Sequence, residues 1–69
     1  MGITTEDQAR VRREVHPEAQ LGRSWRGWPI VELWNHKSRR PDRYTASTLD
    51  RAIDNAKNGK LATAEELAR

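Results

Sequence analysis

The run TLDRAIDNAKNG, residues 48–59, constrains the fold more than any other part of the chain. Leu49, Ala52, Ile53 and Ala56 recur at i, i+3, i+4 and i+7, which places all four on one face of a helix over 48–58. Ser47 or Thr45 can cap its start, and Asn58-Gly59 can end it in a left-handed turn. So short a helix is marginal alone, so the stripe must find apolar surface elsewhere in the chain. Supply is limited: of 69 residues 35% are hydrophobic, and phenylalanine and cysteine are both absent. Neither a large core nor a disulfide framework is on offer, and one small domain is expected, with function carried on its surface.

Two other segments can meet that stripe. Thr4 or Thr5 can cap a first helix whose opening turn holds Glu6 and Asp7 and which should end by Pro17. Its apolar face is only Ala9, Val11 and Val15, so residues 1–22 are expected as a flexible helix or arm plus linker, and residues 23–69 as the globular core. HPEAQLGRSWRG, residues 16–27, reads as a loop. In WPIVELWNHKSRRPD, Ile30, Leu33 and Trp34 fit a helical i, i+3, i+4 stripe, with Pro29 in the first turn. The same residues are strand formers and could make the first arm of a hairpin returning through RYTA after a turn at 40–42. The helical reading gives a mainly α, helix-turn-helix-like domain. The alternative is α+β, in the order helix, β-hairpin, helix. Lys60-Leu61 should be extended, and Thr63 with Glu66 forms a capping box for a last helical turn. Trp28 and Trp34 are expected to fill the core in the absence of phenylalanine.

Charge is uneven along the chain. The net charge is +3, yet residues 23–43 hold six cations, Arg23, Arg26, Lys37, Arg39, Arg40 and Arg43, against two acids. Such a cluster attracts phosphate or an acidic protein face over a Debye length of roughly 8 Å at physiological salt. Trp25, between Arg23 and Arg26, could stack a base or plug a pocket on a partner. Catalysis is poorly supplied. His16 and His36 are twenty residues apart with no paired carboxylate, and no phosphate loop, nucleophile elbow or zinc spacing occurs. No enzyme activity, cofactor or metal is expected. No apolar run approaches the roughly 20 residues of a membrane span, and with no cysteine and no apolar signal region a cytoplasmic setting is expected.

Recognition is better supplied. On a helix packed by its stripe, Ser47, Arg51 and Asn55 recur every four residues along the polar flank. Arginine can take guanine and asparagine adenine in a bidentate manner, while Ser47 and Thr48 can donate to phosphate at the helix start. Asp50 and Asp54 on neighbouring flanks would repel a phosphate groove.

STLDRAIDNAKNGKL resembles the recognition helix of helix-turn-helix and winged-helix regulators, with its Ser/Thr start, apolar stripe and closing glycine. LWNHKSRRPDRYTASTLDRAI, residues 33–53, is similar to phage lambda-type excisionases, which share the Trp34-Asn35 pair, the basic stretch and Arg39-Arg40-Pro41 at this spacing. The resemblance implies a winged helix that bends DNA, with Trp34 as a core anchor, Arg39 and Arg40 as phosphate contacts between helices, and Thr48, Arg51 and Asn55 facing the groove. The chain departs from that pattern in its long N-terminal extension and in LATAEELAR, which stands where a wing would be. The expected function is non-enzymatic binding of double-stranded DNA by a phage-like accessory regulator, with dimerisation or cooperation on adjacent sites. The alternative is an inhibitor or adaptor that docks on an acidic protein surface.

Overall fold

A computed structural model describes residues 4–24 and 26–67. Helix α1 (Thr5–Glu14) leads into three strands, β1 (Gln20–Arg23), β2 (Pro29–Asn35) and β3 (Arg40–Thr45), followed by α2 (Leu49–Lys57) and a short α3 (Ala64–Leu67). The strands form one antiparallel meander in the order β1-β2-β3. This overturns the mainly α reading: the fold is α+β, a helix, a three-stranded sheet and a helix.

The decisive segment is Pro29–Asn35. As a helix it would be two turns long and would bury Ile30, Leu33 and Trp34. As a strand it turns Pro29, Val31 and Leu33 to one side and Ile30, Glu32 and Trp34 to the other. Leu21, Val31 and Tyr44 then lie in register across the sheet and make an apolar row. Val11 of α1 and Ala52 and Ile53 of α2 cover that row, so both helices lie on the same face of the sheet. A flat row suits two helices at once, and here tertiary packing outweighs the local helical pattern.

Helix α1 is therefore no flexible arm. Thr4 caps it, its hydroxyl accepting from the Asp7 N–H at 3.0 Å, and Val11 is fully buried. The chain then turns through His16-Pro17-Glu18 into β1, a strand inside the stretch expected to be loop. With one large apolar residue, Leu21, this strand has almost no pattern of its own. Gln8 of α1 holds its free edge: the Gln8 amide donates to the Leu21 carbonyl at 2.9 Å, and the Leu21 N–H donates to Gln8 Oε1 at 3.3 Å. At the other edge, the Ala62 N–H donates to the Arg43 carbonyl at 2.8 Å and Pro41 has no N–H to offer. Both edges of the sheet are thus occupied or blunted, which closes them to a further strand.

Helix α2 forms as its stripe requires, with Ala52 and Ile53 buried and Leu49 and Ala56 packed against the core. Its cap is Thr48, whose hydroxyl accepts from the Arg51 N–H at 3.3 Å. Gly59 (φ 70°) supplies the left-handed stop, and Thr63 and Glu66 exchange hydrogen bonds as a capping box. The two long helices are also laced by ions. Arg10 donates to Glu14 at 2.6 Å and to Asp50, and Lys57 reaches Glu14 at 3.5 Å. Asp50 therefore has a partner in α1.

Candidate nucleic-acid interface

The fold divides the cations that lie together in sequence. In a meander the β1–β2 loop and the β2–β3 loop sit at opposite ends, separated by the seven residues of β2, about 20 Å at strand rise. Arg23 and Arg26 belong to the first end; Lys37, Arg39 and Arg40 belong to the second. Arg23 is engaged locally, its guanidinium donating to the Gly27 carbonyl at 2.7 Å. Arg26 is exposed in the loop beside it. Trp25 lies outside the described residues.

Asn35 builds the second end. Its side-chain oxygen accepts from the N–H groups of Lys37 at 2.9 Å and Ser38 at 3.2 Å. Its amide donates to Asp42 at 3.0 Å, and its backbone carbonyl accepts from the Arg39 N–H at 2.8 Å. One asparagine thus folds the four-residue turn His36-Lys37-Ser38-Arg39 and ties it to β3. The turn falls at 36–39 rather than at 40–42, because Arg40, Pro41 and Asp42 are already in β3, opposite Asn35, Trp34 and Leu33.

Arg39 closes this turn at φ 57°, the one non-glycine residue with positive φ among those described. Left-handed backbone costs an ordinary side chain roughly 1–2 kcal/mol, and glycine or asparagine would occupy it more easily. A cation stands where the backbone favours a residue without a Cβ. Lys37, Arg39 and Arg40 are all exposed, and none is in a salt bridge among the described residues. Of the acids near this end, Asp42 accepts a hydrogen bond from Asn35, and Glu18 lies 3.9 Å from His36.

Trp34 is not the core anchor that the resemblance implies. It sits on the face of the sheet away from the helices, opposite Pro41, and is 48% exposed. Arg39 and Arg40 do not lie between helices either, since they close a hairpin. Arg43 is on the outer face, where it donates to Glu32 at 3.0 Å.

The proposed reading flank of α2 is largely occupied by structural bonds. Asn55 donates to the Thr45 carbonyl at 3.0 Å, which anchors α2 to β3, and Thr48 is the cap. Ser47 and Arg51 remain exposed beside an open concavity of about 380 Å³, whose other lining includes Trp28, Asp54, Lys60 and Glu66. Two cations and two carboxylates there leave no single sign of charge. Bonding to Arg10 holds the Glu14 carboxyl below its usual range, aided by Lys57, and the Arg10 guanidinium is correspondingly raised by Glu14 and Asp50. Burial, with Asp42 nearby, raises the Tyr44 hydroxyl.

No family model, curated protein or solved structure matches this chain. Among the described residues no group of three or more His, Asp or Glu is placed to hold a metal ion, and no helix is long and apolar enough to cross a membrane.

The sequence marked Lys37, Arg39 and Arg40 as binding candidates by their charge, and Arg39 and Arg40 also through the resemblance. Asn35 as organiser of the turn and Trp34 as a surface residue were missed. The strand alternative held the signal for Trp34, since alternation puts it on the side opposite Val31 and Leu33.

Proposed function

We propose that this chain is a non-enzymatic DNA-binding module whose contact element is the β2–β3 hairpin. The observation that carries the reading is the tip itself, where Asn35 fixes a turn bearing Lys37 and Arg39, Arg40 follows as the first residue of β3, none of the three has a carboxylate partner among the described residues, and Arg39 is held in a left-handed conformation. Backbone strain retained at an exposed cation is a cost to folding that phosphate binding would offset. A two-stranded ribbon is narrow enough for the major groove of duplex DNA, and three cations at its end can each neutralise a phosphate. Capture is then electrostatic, with the hairpin entering as a preformed unit.

The test combines binding and stability. Changing Lys37, Arg39 and Arg40 together to alanine should lower the slope of log K against log salt by about 2.7 for duplex DNA, from 0.9 per phosphate contact. Between 50 and 200 mM salt the parent should lose roughly 40-fold more affinity than the variant, on the same scale. Arg39→Gly alone should weaken binding while leaving the thermal midpoint unchanged or higher, because glycine relieves the turn. An unaltered salt slope in the triple variant refutes the reading.

A further inference from the structure

Trp34 gives the hairpin a second kind of contact. The chain has four aromatic side chains, three tryptophans and one tyrosine, and a core without phenylalanine is expected to take Trp34. Instead, Trp34 stands half-exposed on the outer face. It immediately precedes Asn35, the residue that holds the cationic turn, and faces Pro41 across the ladder. Glu32, the carboxylate on that face of the sheet, is already bonded by Arg43.

The surroundings select the occupant. An extended peptide would add to a sheet edge, and both edges are occupied or blunted. Trp34 and Leu61 are the only large apolar residues exposed among those described, so no broad apolar patch of the kind that marks a protein-docking surface is present there. One flat indole at the end of the sheet that carries Lys37, Arg39 and Arg40 matches one aromatic base and its neighbouring phosphates. Bases inside a duplex have both faces covered, so the indole can accept only an unpaired one. We infer that Trp34 is a stacking platform for an unpaired base, and that the hairpin binds single-stranded nucleic acid, or a single-stranded segment beside a duplex, in preference to continuous duplex. The inference rests on the nucleic-acid reading above and shifts its favoured ligand from continuous duplex to unpaired strand.

Binding of fluorescein-labelled oligothymidylate and of a blunt duplex of equal length should be measured by anisotropy at about 50 mM salt, the regime in which phosphate contacts are strong. Trp34→Ala should weaken single-strand binding roughly 5- to 150-fold, the range for loss of one base stack. Duplex binding should change no more than about twofold, as expected for ends with few exposed bases. Trp34→Phe, which keeps a flat ring, should recover most of the loss, and matching circular dichroism spectra control for folding. Indole emission in the parent should be quenched by the single strand more than by the duplex. If Trp34→Ala binds both ligands as the parent does, or loses both equally, the stacking inference is overturned while the hairpin reading stands. If the parent binds neither ligand, both fail.

Discussion

Replacing Gln8 by alanine tests how a strand as poor as Gln20–Arg23 is held in the sheet. The Gln8 side chain makes two part-buried hydrogen bonds with the backbone of Leu21, one at 2.9 Å and one at 3.3 Å. A net contribution near 1 kcal/mol for the first and less for the second gives a loss of about 1.5–2 kcal/mol. A 69-residue chain has roughly 3–10 kcal/mol in total at 0.05–0.15 per residue, so the loss is a large share. Near the midpoint each kcal/mol moves a domain of this size by about 4–8 °C, so the melting temperature should fall by roughly 6–16 °C. Thermal unfolding followed by far-ultraviolet circular dichroism measures this, and hydrogen exchange at the Leu21 amide should accelerate. Gln8→Glu keeps the shape and removes the donor, placing a carboxylate against the Leu21 carbonyl; at neutral pH it should lose at least as much. A fall below about 2 °C for Gln8→Ala, in the range of ordinary surface changes, with an unchanged Leu21 amide would refute the idea that Gln8 stands in for a neighbouring strand.

Acid sensitivity should pass through Glu14. Its folded-state carboxyl is lowered by Arg10 and Lys57, so its stabilising contribution is present above the unfolded value of about 4.3 and is lost as pH falls through the folded one. Glu14→Gln should therefore flatten the decline of the melting temperature between neutral pH and the acid range. Asn55→Ala should cost about 1 kcal/mol of stability through the lost bond to the Thr45 carbonyl, measured by urea unfolding. Arg51→Ala should change duplex affinity far less than the triple alanine variant at the hairpin tip. A larger effect at Arg51 in a titration of both variants would return the contact to α2.

Helix α2 was legible in the sequence because its information is local, a four-residue apolar stripe and a glycine stop within one segment, although its cap is Thr48 rather than Ser47 or Thr45. The first helix and the Thr63–Glu66 capping box were legible for the same reason. Pro29–Asn35 was not, since its apolar residues satisfy a helical and a strand period together, and only the row Leu21, Val31, Tyr44 beneath Val11 and Ile53 decides between them. Strand β1 is more extreme: its hydrogen bonds go to β2 and to Gln8, thirteen residues away from Leu21, and nothing local announces them. The binding candidates divide along the same line. Composition alone marks a basic chain segment, but a meander sends Arg23 and Arg26 to one end and Lys37, Arg39 and Arg40 to the other. It also turns Trp34 outward, because alternation along β2 commits the opposite face to the core. Local spacing determines which helices form; which cations share a surface is decided by strand pairing, a long-range property that no window of the sequence contains.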